Sequence, residues 1–141
     1  MKRSKVIICD IDGTLALLGD RDRYDPTTGE DTLNYPIANI LQVYDNQTVL
    51  PVDLILITGR EDSYRDYTEK WLHKYGITNY KALYMRKTGD FRKDFVVKKE
   101  LYEKYIKSTY EVLFILEDRD QVVKMWREEG LTCLQVAYGN F

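Results

Sequence analysis

The chain is poor in the side chains most often used for acid–base and metal chemistry. It has one histidine, His73, and two cysteines, Cys9 and Cys133. His73 falls outside the apolar stripe of its predicted helix, so it reads as a surface residue and histidine catalysis is excluded. Cys9 and Cys133 each sit in an apolar run, which points to buried thiols rather than a disulfide or metal pair. That usage suits a reducing cytosol, and a cytoplasmic protein is expected. No apolar run approaches the roughly 20 residues of a membrane span. The apolar stretch after Met1-Lys2-Arg3-Ser4-Lys5 is too short for a signal peptide and runs straight into two acids. Neither sign of charge dominates: 21 Lys and Arg face 23 Asp and Glu, for a net charge of −2. Bulk attraction to nucleic acid or membrane is therefore absent, and any polyanion site must be a local patch. There is no internal repeat and no low-complexity segment.

What is present is an alternation of strands and helices. With 141 residues, 44% of them hydrophobic, one domain spanning 1–141 with a sizeable core is expected. Lys5–Cys9, a short apolar run rich in β-branched residues, reads as a strand, as do Val52–Ile57, the weaker Lys81–Met85, Val112–Leu116 and Leu131–Val136. Pro36 suits a helix start, followed by Ile37, Ile40, Leu41 and Tyr44 at helical spacing until Asn46. A second helix runs from about Asp62 to Tyr75, with Tyr64, Tyr67, Trp71, Leu72 and Tyr75 as its stripe and Gly76 as its stop. Asp94 caps a third, with Val97, Leu101, Tyr102 and Tyr105 facing inward. Val122, Val123 and Trp126 belong to a fourth, which Gly130 ends. Such alternation implies right-handed crossovers and an α/β fold, a doubly wound parallel sheet of about five strands.

The chemistry lies where strands end, the edge at which open α/β sheets bind ligands. Asp10-Ile11-Asp12-Gly13-Thr14 follows the first strand. Two acids one residue apart with no adjacent base suit a divalent cation held by oxygens, with one carboxylate free for reaction. Thr14 adds a hydroxyl and an N–H for an anion. A polar stretch, Leu15–Asn34, is too long for an ordinary connection and reads as a flap whose only basic residues are Arg21 and Arg23. The second strand ends in Thr58-Gly59-Arg60. After the third comes Arg86–Asp94, with four basic residues in nine; Lys93 would sit near a helix N-terminus, where N–H groups favour anions. The fourth ends in Glu117-Asp118, a further acidic cluster on the same edge.

An attacking acid, a hydroxyl–glycine turn, a lysine and an acidic pair in this order resemble the haloacid dehalogenase (HAD) superfamily of aspartyl-phosphate phosphatases. The closer resemblance is to the 3′-phosphatase domain of phage-type polynucleotide kinase-phosphatase, carried by Asp10–Ala16, Arg21 with Tyr24-Asp25, Thr58–Arg60, Gly89-Asp90 with Arg92–Asp94, and Val96–Lys98. It continues through Asp118-Arg119, Gln121–Val123, Met125-Trp126, and Gln135–Ala137 with Gly139 and Phe141. The family has Asp-Asp where this chain has Glu117-Asp118. No G-x-x-x-x-G-K-[ST] stretch is present, so the kinase half is absent. The resemblance implies a Rossmann-like HAD fold with a short flap and no large cap domain. It implies Asp10 as nucleophile, Asp12 as general acid and base, and Thr58 and Lys93 as further catalytic groups. Mg²⁺ would be held by Asp10, the backbone carbonyl of Asp12, and Asp118, with Glu117 supporting. Thr14, Arg21, Gly59, Arg60 and Asp90 would serve the substrate, with Arg21 on the reacting phosphate. The expected substrate is a 3′-phosphorylated DNA or RNA end. The alternatives are a small-molecule phosphatase such as a nucleotidase, acting on phosphorylated nucleotides, or a binding module with a decayed site. No membrane partner is expected.

Overall fold

Along Val6-Ile7-Ile8-Cys9 successive side chains point to opposite faces of one strand, and each face meets its own set of helices. Ile7 and Cys9 pack with Ile37, Leu41, Trp71 and Leu72. Val6 and Ile8 pack with Tyr102, Ile106, Val122 and Trp126. A strand apolar on both faces belongs at the centre of a three-layer α/β structure. The computed structural model describes residues 3–47 and 49–141; Met1 and Lys2, the start of the basic N-terminal stretch, and Thr48 lie outside the described residues.

The elements run β1 (Ser4–Cys9), β2 (Ala16–Leu17), β3 (Thr32–Leu33), α1 (Tyr35–Asp45), β4 (Val52–Glu61), α2 (Arg65–Lys74), β5 (Ala82–Arg86), α3 (Asp94–Tyr105), β6 (Tyr110–Glu117), α4 (Asp120–Glu128) and β7 (Cys133–Gln135). The main sheet is parallel with order β5-β4-β1-β6-β7. Helices α1 and α2 cover one face, α3 and α4 the other. The chain leaves β1 towards β4 and later returns to β6 on the opposite side. The ends of these three strands therefore flank the switch in strand order, where a crevice opens. Cys9 and Cys133 are buried free thiols, and His73 is exposed.

Two elements differ from the sequence reading. β4 does not end at Ile57 but continues to Glu61, and its pairing with β5 steps from Thr58↔Met85 to Glu61↔Arg86. Gly59 and Arg60 are the residues left out of the ladder, a bulge that re-aims the strand beside the crevice. The second helix begins at Arg65 rather than Asp62, because Asp62–Tyr64 form a 3-10 turn. Within the polar stretch, β2 and β3 pair antiparallel, and Asp25 caps a short 3-10 turn at Pro26–Thr28.

Candidate active site

Asp10 continues the β1 ladder by one bond, its N–H donating to Leu116 O at 3.0 Å; the chain then doubles back, with the N–H groups of Thr14, Leu15 and Ala16 all donating to Ile11 O. Gly13 makes this possible with φ +82, and a Cβ on it would collide with the Asp118 carboxylate. The Thr14 hydroxyl lies between Asp10 Oδ2 (3.1 Å) and Asp118 Oδ1 (3.2 Å), one proton serving either oxygen.

On the other side of Asp10 stands an ammonium that is 1% exposed. Lys98 Nζ donates to Asp10 Oδ1 and to Glu117 Oε1, both at 2.8 Å, and lies 3.4 Å from Asp94 Oδ2. Lys98 belongs to α3 one turn beyond Asp94, so the two share a helix face. Glu117 Oε2 accepts from the N–H groups of Asp118 (3.1 Å) and Arg119 (3.3 Å). Burial, and then the charge of Glu117, push Asp10 up to about 8 against the pull of Lys98. Burial and the neighbouring Asp10 raise Asp118 to about 7, and burial raises Glu117 as well. Burial alone would lower Lys98, but the charges of Asp10, Asp94 and Glu117 outweigh it and hold the ammonium well above its ordinary range. Carboxylate oxygens of Asp10, Glu117 and Asp118 lie within 4.8 Å of one another. Hard oxygen donors in excess over the local positive charge fit a divalent cation.

Asp12 takes part in a different network. Its Oδ1 accepts from Arg21 Nη2 (2.9 Å) and Arg60 Nη2 (2.6 Å), and its Oδ2 from Arg60 Nε (3.0 Å). Both guanidiniums also reach Asp31: Arg21 Nε and Nη2 donate to its two oxygens at 2.6 and 3.0 Å, and Arg60 Nη2 lies 3.1 Å from Oδ2. Two acids and two arginines thus form a closed, charge-balanced ring. Arg60 Nη1 donates to Thr68 Oγ1, and Trp71 Nε1 to Asp31 O, which fastens the ring to α2. Buried charges survive when each is paired and hydrogen-bonded in this way.

Asp10, Asp12 and Asp118 line an open cavity of about 430 Å³ whose walls include Gly59, Arg60, Asp90 and Lys93. Gly59 admits the Asp94 carboxylate at the place a Cβ would fill, and its carbonyl accepts from Arg86 Nε at 2.8 Å.

Several placements correct the sequence reading. The ammonium against Asp10 is that of Lys98, not Lys93, which stands exposed at the N-cap of α3; Asp94 is the first helical residue, not the cap. Arg21 does not reach over the site towards a phosphate, because it is buried with its fork committed to Asp31 and Asp12. Arg60 is likewise engaged. The Asp12 carboxylate faces these arginines, leaving only its backbone for a cation. Thr58 is fully buried, its hydroxyl accepting from Arg60 N–H, and it does not line the cavity; nor does Thr14. Asp90 grips Arg92, which holds its carboxyl down at about 2. Sequence reasoning missed the roles of Lys98, Asp94 and Asp31. A lysine inside the stripe Asp94, Val97, Lys98, Leu101, Tyr102 was the available signal, since an unpaired lysine does not belong on an inward helix face.

A β1 terminus with a D-x-D-G turn, a buried lysine and an acidic pair on the adjacent strand define a phosphatase of the HAD type. Residues 4–141 match the family described as the polynucleotide kinase PNKP phosphatase domain, and the chain belongs to that family. It is similar to a protein of Autographa californica nuclear polyhedrosis virus named as a bifunctional polynucleotide kinase/RNA ligase, 31% identical over 130 residues, covering 90% of this chain and 18% of the viral protein. It is also similar to a chain in the structure of the Pnkp1/Rnl/Hen1 RNA repair complex, with 48% identity and a TM-score of 0.92, covering 99% of this chain and 44% of that one. A second Pnkp1/Rnl/Hen1 complex matches with the same identity and TM-score over 48% of its chain. The chain thus spans less than half the length of each of these relatives. No helix among the described residues is long and apolar enough to cross a membrane.

Proposed function

We propose that this domain removes 3′-phosphates from polynucleotide ends in a Mg²⁺-dependent reaction that passes through an aspartyl-phosphate. The observation that carries the reading is Asp10: a buried carboxylate on the floor of an open cavity, held between Lys98 and Thr14, with a second acid fixed beside it. In the first half-reaction an Asp10 oxygen attacks phosphorus, the bond from phosphorus to the leaving oxygen breaks, and Asp12 gives that oxygen a proton. In the second, water attacks phosphorus, its proton passes to Asp12, the bond to Asp10 breaks and inorganic phosphate forms. Arg21 and Arg60 fix the Asp12 carboxylate through both half-reactions. Two negative charges 4 Å apart repel by about 4 kcal/mol at an effective dielectric near 20, so carboxylate attack on a phosphate needs compensation. The Lys98 ammonium supplies part of it. Asp10 and Asp118 with the Asp12 carbonyl would hold Mg²⁺, and Glu117, whose oxygens serve Lys98 and two N–H groups, would support them. When bound, the ion supplies charge neutralisation and polarises the phosphoryl oxygens. The family membership and the relatives' kinase, ligase and RNA-repair names support a nucleic-acid end as substrate.

The test is a panel of 3′-phosphorylated and 5′-phosphorylated oligonucleotides and mononucleotides, assayed with Mg²⁺ and with EDTA. Wild type is expected to favour the 3′-phosphate oligonucleotide, to stop with EDTA, and to lose about 10⁴-fold in kcat on Asp10→Asn. A well-folded, active Asp10→Asn protein would refute the covalent mechanism. Preference for free nucleotides would refute the polymer substrate.

A further inference from the structure

Two of the most exposed aromatic side chains stand at the rim of the same cavity: Tyr24 is 78% and Phe91 87% accessible. Scattered exposed aromatics need no explanation, but these two share one opening, and their backbones are fixed. Arg86, anchored on Gly59 O in the floor, donates from Nη1 to the carbonyls of Asp90 and Arg92, on either side of Phe91. The Arg92 side chain then grips Asp90 and Glu100. On the flap, Arg21, itself held by Asp12 and Asp31, donates to the carbonyls of Asp22 and Arg23, and Tyr24 N–H donates to Asp22 Oδ1. Each ring is thus carried on a segment tied by a single arginine to the floor of the site. On a fixed backbone only the two side-chain torsions of each ring need be ordered when a flat partner stacks on it. Beside them, Arg23 and Lys93 are exposed cavity residues that form no ion pair among the described residues, giving the rim positive charge next to its aromatic faces. Flat apolar faces beside cations that no carboxylate neutralises, Lys93 and an Arg23 stacked 3.9 Å over the Phe141 ring, complement single-stranded nucleic acid, whose bases stack while its phosphates need counter-charge.

We propose that Phe91 and Tyr24 form a subsite that stacks the terminal nucleobase of the strand being dephosphorylated. The subsite rests on the reading of the cavity as a polynucleotide 3′-phosphatase and adds to it a recognition element outside the reacting groups. It is indifferent to base identity, because every base has a π-face.

The experiment compares two substrates with one backbone: a 3′-phosphorylated oligonucleotide, and the same strand with a tetrahydrofuran residue, lacking a base, at its 3′ end. The quantity read is the ratio of their kcat/KM values. Wild type is expected to favour the normal end by about tenfold, the scale of one base–aromatic stack. Phe91→Ala and Tyr24→Ala should each lower the ratio, and the double variant should bring it to about one. Phe91→Leu, which keeps apolar bulk without a ring, should behave as Phe91→Ala, and Phe91→Trp should restore the preference. A wild-type ratio of one, or a ratio unchanged by both alanine substitutions, overturns the subsite while leaving the phosphatase reading standing. Wild type that leaves both strands untouched overturns the phosphatase reading and the subsite with it, an outcome visible without any variant.

Discussion

Replacing Lys98 with methionine removes the ammonium buried among Asp10, Asp94 and Glu117 while nearly conserving volume. Two hydrogen bonds of 2.8 Å disappear, and Asp94, Glu117 and, above about pH 8, Asp10 lose their shared counter-charge. Removing one partner from a buried ion pair costs about 3–5 kcal/mol, because the charges left behind are neither solvated nor neutralised. Unfolding entropy of about 2.1 cal/mol/K per residue gives roughly 0.3 kcal/mol/K for 141 residues. The Tm should therefore fall by about 10–17 °C in metal-free buffer. Lys93, exposed at the N-cap of α3, is the internal control; Lys93→Met should shift stability by less than about 0.5 kcal/mol. Calorimetry of the three proteins in EDTA reads both effects. The deficit of Lys98→Met should shrink as the pH is lowered, since protonation neutralises the stranded carboxylates. The reasoning fails if Lys98→Met unfolds within a few degrees of wild type at neutral pH, or if the deficit does not depend on pH.

Two further outcomes follow from the same geometry. Asp10 is shifted from 3.8 in the unfolded chain to about 8 in the fold, so between those values the folded state holds more protons. Its stabilising contribution is complete below 3.8 and lost as pH rises through about 8, with Asp118 and Glu117 acting in the same direction. In EDTA, the Tm of wild type relative to Asp10→Asn should fall as pH rises through that window, and Mg²⁺ should restore it at pH 8; a relative Tm that climbs towards pH 8 without metal contradicts the assignment. Arg21→Lys keeps the charge but cannot reproduce the two-bond fork on Asp31 while also reaching Asp12. It should cut kcat on every phosphate ester alike with little change in KM, whereas a selective rise in KM for oligonucleotides would place Arg21 on the substrate.

What the sequence determined by itself is the part governed by short-range rules. Alternation in Val6–Cys9, the apolar stripes of the helices and the Asp-Gly turn after β1 depend on neighbours a few residues away, and they were enough to place Asp10, Asp12, Thr58–Arg60 and Glu117-Asp118 at one edge of a parallel α/β sheet. Which side chains meet across that edge was decided only by the tertiary structure. Lys93 and Lys98 are five positions apart, about 140° around a helix axis, so a small difference in how α3 starts and rolls on the sheet determines which ammonium faces Asp10, 88 residues earlier in the chain. Arg21 looks the same in sequence whether it meets a phosphate or a carboxylate. Its destination was fixed by Asp31, brought alongside by the β2–β3 pairing, and by Arg60, turned inward at the bulge in β4. Local patterns encode where the backbone turns. The pairing of buried charges follows from long-range packing, because each such charge must find its opposite before the site can leave water.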